Sequence, residues 1–465
     1  MNPILDVSTF DGGIPGIRDH AVEWYFAPET YDLQARFAGL WRYSRDMLHA
    51  RARWSSEQIM EWKLSRLRKL VDTAFADVPL YREKYSAVGY TTGALRTWDD
   101  WSALPSTSRT ELIEGFPEQV TSPHFDTKSC RWLTSSGSSG NLVQLVLEPL
   151  RAEMDQAARW RMFETMAQAP LPTDRWIYNI NHAHWWVTSM CGDYPTFTVS
   201  QRVPVADLAR HISFLKPAFI SGISSAIEEL AHANVDLSAL GVLGVSTNSE
   251  TTLRESRLRW AESFGVPVLD EYSSEEAGLV AAECPLQSFH LIEDDTHLDI
   301  VNADSDGLGD VLTTDLWNQV MPVIRYEQGD LAGPLVDGSA CSCELGGRVM
   351  PGGLHGRQDE ALWSSARGRI APGILLELTE DELAFSDQFG SYRLIQHAPD
   401  QLEFLYESRQ GSTTEDTERT LTVFQERLEQ AFGTLIKLTR RPVERLDESP
   451  RLKRRVVVNA MQESR

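Results

Sequence analysis

The sequence predicts an α/β protein: a large N-terminal domain of α/β sheets, a β-subregion within it, and a small α+β domain at the C-terminus. Three observations carry this. Between about 130 and 280, apolar runs at 142–147, 176–180, 218–220, 242–245 and 266–269 alternate with helical stretches at 152–167, 224–233 and 252–264. That is the pattern of βα units in a largely parallel sheet. Residues 289–350 change to hairpin material with many Gly and Asp turns. Around Gly356 the character changes again, to a tail that reads as strand over 360–378, strand over 392–406 and helix over 417–435.

Ahead of these, residues from about 20 to 120 read as a helical leader. Leu64, Leu67, Leu70, Val71 and Ala74 recur at helical spacing and define one buried face. Val78-Pro79-Leu80-Tyr81 breaks that helix, and Leu104-Pro105 starts another segment. Trp24, Trp41, Trp54 and Trp62 read as core. The 465 residues suit two or three domains, without an internal repeat or low-complexity linker.

Charge narrows the function. A formal net charge of −23 disfavours nucleic acid, since a phosphate polymer would be repelled. An anionic substrate would need local cations or a metal ion. No apolar run approaches the roughly 20 residues of a membrane span, and the first residues carry no signal-peptide pattern. Five cysteines do not make a disulfide scaffold. The expectation is a cytoplasmic protein with reduced thiols and neither a membrane nor a nucleic-acid partner.

Four stretches carry chemistry. The first is Leu133-Thr134-Ser135-Ser136-Gly137-Ser138-Ser139-Gly140-Asn141, set between apolar runs. Glycines let backbone N–H groups converge on an anion, and hydroxyls add donors; a flexible Ser/Gly hairpin turn is the other reading. The second is the apolar strand that ends in Tyr272-Ser273-Ser274-Glu275-Glu276, where α/β sheets place ligands. A ring there can stack on a base and a carboxylate can hold Mg²⁺ beside phosphates, although either Glu also suits the first turn of a helix. The third is Arg325-Tyr326-Glu327-Gln328-Gly329-Asp330, a strand leading into a Gly-Asp turn. The fourth is Gly356-Arg357-Gln358-Asp359-Glu360, where composition shifts.

In this order the four stretches resemble the adenylate-forming enzymes, and specifically the phenylacetate–CoA ligase-like branch. Pro79-Leu80-Tyr81-Arg82 is also typical of that branch, and Ser449-Pro450-Arg451-Leu452-Lys453 matches the terminal Thr-Pro-Ser-Gly-Lys motif. The resemblance implies that Ser135, Ser136, Gly137, Ser138, Ser139 and Gly140 handle the ATP phosphates. It places the adenine-stacking ring on Tyr272, the Mg²⁺ carboxylate on Glu276, ribose binding on Asp330, a nucleotide contact on Arg357 and a catalytic lysine at Lys453. It implies an N-terminal adenylation domain over 1–355 and a mobile C-terminal lid over 360–465, with a hinge near Asp359.

The implied activity is ATP-dependent activation of a carboxylic acid, an aryl or other small organic acid, to an acyl-adenylate, followed by transfer to a thiol. The partners implied are the acid, ATP, and CoA or a phosphopantetheine-bearing acyl carrier protein; a homodimer is compatible with the reading. Two rivals are interception of the adenylate by an amine or other nucleophile, and a catalytically silent homologue that serves as a partner-binding subunit. Departures from the pattern keep both open: Asn141-Leu142 replaces Lys-Pro, Glu275 replaces Thr, Glu327-Gln328 replaces Arg-Thr, Leu452 replaces Gly, and 363–372 does not match the post-hinge loop in spacing.

Two further clusters stand out. Cys284, His290, Cys341 and Cys343, spaced Cys-x5-His and then Cys-x-Cys, suit a tetrahedral structural Zn²⁺, and the branch often carries a zinc at such a pattern. Cys130 and Cys191 read as small hydrophobes. His182, His184, Trp185 and Trp186 form an aromatic patch that suits either an acyl pocket or core, and Ser221-Gly222-Ile223 falls where the family has a pocket-lining loop.

Overall fold

The computed structural model describes residues 23–24, 46–47, 49–126, 130–135, 142–168, 171, 175–181, 186–190, 193–233, 235–250, 252–305, 307–343, 345–373, 378, 389–409, 413–446 and 456–463. Its largest sheet has eleven strands. In spatial order they are Glu23–Trp24, Trp186–Met190, Asp193–Ser200, Ile177–Asn181, Phe219–Ile223, Gly244–Asn248, Val268–Ser274, Gly278–Glu283, Phe289–Leu291, Arg348–Val349 and Val336–Asp337. The run from Asp193–Ser200 to Val268–Ser274 is parallel throughout. Helices Val205–Leu215, Ser224–His232 and Arg254–Phe264 connect its strands, so the sheet is buried on the helix-covered side as parallel sheets require. Tyr178, Ile180, Ile220, Val245, Trp260 and Phe264 belong to that core.

The expected alternation is therefore observed, with corrections. Gln144–Leu147 is not a strand of the parallel sheet; it pairs antiparallel with Arg131–Thr134 in a separate hairpin. Trp186–Met190, Asp193–Ser200 and Val205–Leu215 were not anticipated. The leader holds helices Ser56–Asp77, Pro79–Ala87, Trp98–Ser102 and Arg109–Gly115, but Glu23–Trp24 is a strand and not helix. Leu67, Leu70, Val71 and Ala74 are buried on one face of the first helix, as their spacing predicted. Val78 caps that helix and Pro79 opens the next as its first residue, where a missing N–H costs nothing.

Glu293, Asp294 and Asp295, consecutive and all buried, are each met by a different cation. Glu293 pairs with Lys63 and with Arg348. Asp294 receives a forked pair of bonds from Arg161, 3.2 and 2.7 Å. Asp295 receives one from Arg151, 3.1 and 3.3 Å. Arg151 also donates to Asp315 at 2.6 Å and to the Ala277 carbonyl at 2.8 Å. Burial would lower the Arg151 guanidinium, but Asp295, Asp315 and Asp155 hold it up.

The chain divides into two compact units. The first comprises 1–299, 312–328 and 335–351; the second comprises 300–311, 329–334 and 352–465. Within the second, a four-stranded sheet runs Lys437–Pro442, Gln401–Ser408, Phe389–Ala398 and Val457–Asn459, and helix Thr414–Phe432 packs Leu421, Phe424, Leu428 and Phe432 into its core. The stretch 392–406, expected as one strand, is two antiparallel strands folded back at Pro399-Asp400, with Asp400 in a left-handed conformation (φ 57°). Of the expected strand over 360–378, the described residues form a short hairpin, Leu362–Ser364 with Gly368–Ile370. The expected helix ends at Phe432, where Gly433 takes the left-handed capping position.

Candidate active site

Strand Val268–Ser274 is the last parallel strand, and it turns directly into Gly278–Glu283. Glu275 and Glu276 therefore sit at a β-turn and not in the first turn of a helix. The turn is tight: Ala277 N–H donates to Ser274 Oγ at 3.0 Å. Gly278 has φ +73°, and a Cβ there would lie 2.2 Å from an Arg151 nitrogen, so no other residue fits. Tyr272 is buried on the strand.

Glu276 is buried. Burial pushes its carboxyl up, and its own amide, Arg109 and Tyr326 work against the shift. Tyr326 Oη donates to Glu276 Oε1 at 3.4 Å. The added charge of Glu275 faces Arg131; burial pushes that guanidinium down to about 10, and Glu275 and Asp155 oppose the shift.

Glu327 and Gln328, which replace Arg-Thr, also find partners. Gln328 Nε2 donates to Ser274 Oγ at 3.1 Å and to Thr313 Oγ1 at 2.6 Å, tying the third stretch to the end of the second. Glu327 accepts from Ser106 Oγ at 2.6 Å. Thr107 clips the same segment: its N–H donates to the Arg325 carbonyl and its carbonyl accepts from Glu327 N–H, both at 2.9 Å.

Arg325 has φ +48°, unusual for a long side chain. Its Nη1 donates to Asp299 Oδ2 at 2.9 Å, and its guanidinium lies 5.4 Å from the Trp101 ring centre. Asp299 also takes a bond from Trp101 Nε1 at 2.9 Å and lies 3.0 Å from His297 Nε2. Trp98 stacks on His297. Burial lowers His297 to about 4 against the pull of Asp299. Against the burial that would raise it, Asp299 is held down to about 2 by His297, Arg325 and Trp101.

In the second unit, Asp330 pairs in register with Arg357 on neighbouring strands. Arg357 Nη1 donates to Asp330 Oδ1 and its Nε to Asp359 Oδ1, each at 3.3 Å. Asp359 lies in the one-turn 3₁₀ segment Gln358–Glu360 that follows strand Leu354–Arg357. The structure thus brings Tyr272 and Glu276 together in one unit, and Asp330, Arg357 and Asp359 in the other.

Ser135 closes the hairpin: its Oγ accepts from Val143 N–H at 3.0 Å. Ser136, Gly137, Ser138, Ser139, Gly140, Asn141, Leu452 and Lys453 lie outside the described residues, as do His182, His184, Trp185 and Cys191.

Cys284, His290, Cys341 and Cys343 converge, with their ligand atoms all within 4.8 Å of one another. Cys284 Sγ lies 3.8 Å from Cys341 Sγ, and Cys343 Sγ lies 3.2 Å from His290 Nε2. His290 Nδ1 sits 2.7 Å from the Gly346 carbonyl. That bond fixes the proton on Nδ1 and leaves Nε2 as the ligand, the usual arrangement around a bound metal. Three sulfurs and one imidazole in this geometry fit Zn²⁺.

Among solved structures, the chain is similar to 2-hydroxyisobutyryl-CoA ligase in the postadenylation state in complex with R3-HIB-AMP. The TM-score is 0.66 at 16% identity, covering 86% of this chain and 89% of that one. The fold is that of the adenylate-forming CoA ligases. The anthranilate CoA ligase AuaEII in complex with anthranoyl-AMP shares it with a TM-score of 0.50 at 12% identity, over 71% of this chain and 67% of that one. In sequence, the chain is similar to phenylacetate-coenzyme A ligase of Escherichia coli (strain K12), 24% identical over 339 residues, 66% of this chain and 73% of the relative. No family model matches the chain. Both kinds of similarity agree with the resemblance read from the motifs.

Sequence reasoning missed Arg109, Arg131 and Tyr326. Arg109 left one signal. It opens a helix capped by Ser108 and Glu111, and a cation in a first turn opposes the helix dipole, which points to a task outside the helix.

Proposed function

We propose that this protein uses ATP to activate a small carboxylic acid as its acyl-adenylate and then transfers the acyl group to the thiol of CoA. The observation that carries the reading is Glu276: a buried carboxylate at the end of the last parallel strand, met by a tyrosine hydroxyl, in a fold whose solved members include complexes with acyl-adenylates. In the first half-reaction a carboxylate oxygen of the acid attacks the α-phosphorus and pyrophosphate leaves. In the second, the thiol sulfur attacks the acyl carbon, AMP leaves and the thiol proton passes to solvent.

Mg²⁺ at Glu276 would add to the positive charge beside the phosphates in a chain of net charge −23. Tyr272 offers a ring to the base. Asp330, held by Arg357, offers a carboxylate to the ribose hydroxyls. Lys453 is assigned to the charge developing at the α-phosphate. The four ligands Cys284, His290, Cys341 and Cys343 would hold a structural Zn²⁺ with no position left for substrate.

Acid-dependent ATP–pyrophosphate exchange tests the first half, with a panel built around phenylacetate, anthranilate and 2-hydroxyisobutyrate. Exchange with at least one acid is expected. Silence across the panel from folded protein favours the partner-binding subunit. For the second half, CoA, a phosphopantetheinylated carrier protein and small amines compete for the adenylate, and consumption by the amine alone removes the thioester step. Metal analysis should find close to one Zn²⁺ per chain, and Cys341→Ser should lose it.

A further inference from the structure

Tyr326 is not among the residues that the motif comparison assigns a role, yet the structure spends several devices on aiming it. Its ring is buried in a cluster with Leu112, Val143, Val320 and Val323, so the hydroxyl has little freedom. Backbone bonds from Thr107 grip the residues on either side of it, Arg325 and Glu327. Arg325 adopts its left-handed conformation one residue earlier, with its side chain anchored on Asp299 and over Trp101. A non-glycine residue in that region persists only where its surroundings hold it, and such residues cluster at functional sites.

The same Thr107 clip delivers Arg109. That residue opens helix Arg109–Gly115 two positions on, with Ser108 and Glu111 fixing the helix start, and its side chain hydrogen-bonds to Tyr326. The guanidinium can only donate, so Tyr326 Oη accepts from it and turns its own proton to Glu276 Oε1. The order of bonds is Arg109, Tyr326, Glu276. The tyrosine proton is thereby directed at one carboxylate oxygen, Oε1.

We propose that Tyr326 is a positioning residue for Glu276, oriented by Arg109 and by the strained Arg325, and that it sets the affinity of the site for the divalent cation that accompanies the nucleotide. The inference rests on the proposed adenylation reaction, but its readout does not depend on turnover. Mn²⁺ bound to protein and ATP is measured from the loss of the free-ion paramagnetic resonance signal, and the Mg²⁺ dependence of pyrophosphate exchange is measured beside it.

Tyr326→Phe keeps the ring and its packing. It is expected to weaken Mn²⁺ binding about tenfold, as loss of a group orienting a metal ligand does, and to raise half-saturating Mg²⁺ by a similar factor. The KM for ATP at saturating Mg²⁺ and the unfolding temperature should stay near wild type. Arg109→Met should follow it in direction, and Arg109→Lys should recover part of the loss. A purely structural tyrosine would change the unfolding temperature and leave the Mn²⁺ titration where it was; that result overturns the proposal. Wild-type exchange with an unaltered Tyr326→Phe variant sinks the positioning role alone. Mn²⁺ binding that depends on Tyr326 without exchange for any acid sinks the adenylation reading alone. Absence of Mn²⁺ binding to wild-type protein with ATP sinks both.

Discussion

Two groups of acidic residues in the first unit carry the same charge and are treated in opposite ways. Glu293, Asp294 and Asp295 are buried, and each is ion-paired with fixed cations, Lys63 with Arg348, Arg161, and Arg151, although burial still pushes Asp295 up to about 8 against the pull of Arg151. Glu276 is equally buried, but its side-chain hydrogen bond comes from a neutral hydroxyl at 3.4 Å. A carboxylate that only holds the fold together is neutralised by the chain itself, because an uncompensated buried charge is expensive. The carboxylate proposed to receive a cation meets a neutral hydroxyl instead, with Arg109 nearby as a charge that favours its ionised form. The contrast separates architecture from candidate chemistry more sharply than burial does, since both groups are buried.

The largest effect should come from breaking the compensated group. Arg151→Met strands Asp295 and Asp315, and loss of one partner of a buried pair costs about 3–5 kcal/mol. Chemical unfolding of purified protein should show a loss of that size, while Glu276→Gln should unfold close to wild type. Equal losses in the two variants would erase the distinction.

Next comes Asp299, whose partner is titratable. His297 is lowered from 6.5 to about 4, so the folded state resists a proton that the unfolded chain accepts. Stability should therefore fall as pH drops from about 6.5 to about 4, by on the order of 3 kcal/mol. Below that, the low Asp299 carboxyl adds a further loss as pH falls from about 4 towards 2. His297→Gln should flatten the upper window in a series of unfolding curves; an unchanged slope would place the titration elsewhere.

At the candidate site, Glu276→Gln should cut acid-dependent pyrophosphate exchange about 100-fold, equivalent to roughly 2.7 kcal/mol of barrier. The smallest effect tests where Glu275 belongs. If Arg131 compensates it, Arg131→Gln should raise the KM for ATP only about threefold, since a partly exposed pair contributes about 1 kcal/mol or less. A hundredfold rise would make Arg131 a phosphate ligand instead.

Much of this was legible in the sequence where a local period or a short motif sufficed. Helix Arg254–Phe264 and strand Val268–Ser274 follow from patterning alone, and Glu276 and Asp330 were singled out as candidates by their motifs. The stretch 392–406 misled because its fold-back at Pro399-Asp400 uses no glycine; the aspartate takes the left-handed position. Strand Trp186–Met190 hid in an aromatic patch that suited a pocket equally well. Arg109 and Tyr326 meet Glu276 only through tertiary folding, and no spacing rule connects them. Lys63 did leave a trace: it falls on the same helical face as Ile59, Leu67, Leu70 and Ala74, where a lysine has to find a buried partner.

Arg151 joins the two acidic groups. While it pairs with Asp295 and Asp315, its Nη2, which also reaches Asp295, holds the carbonyl of Ala277, the residue after Glu276, which Thr296 Oγ1 also grips at 2.8 Å. Protein engineers commonly trade a buried ion pair for apolar side chains and gain stability. In this chain that exchange removes the peg on which the Glu276 turn hangs, so a better-packed core would come with a displaced Glu276. Tolerance to substitution at Arg151 should accordingly diverge between a screen for soluble protein and a screen for activity, and the divergence would mark it as a point of epistasis between folding and catalysis.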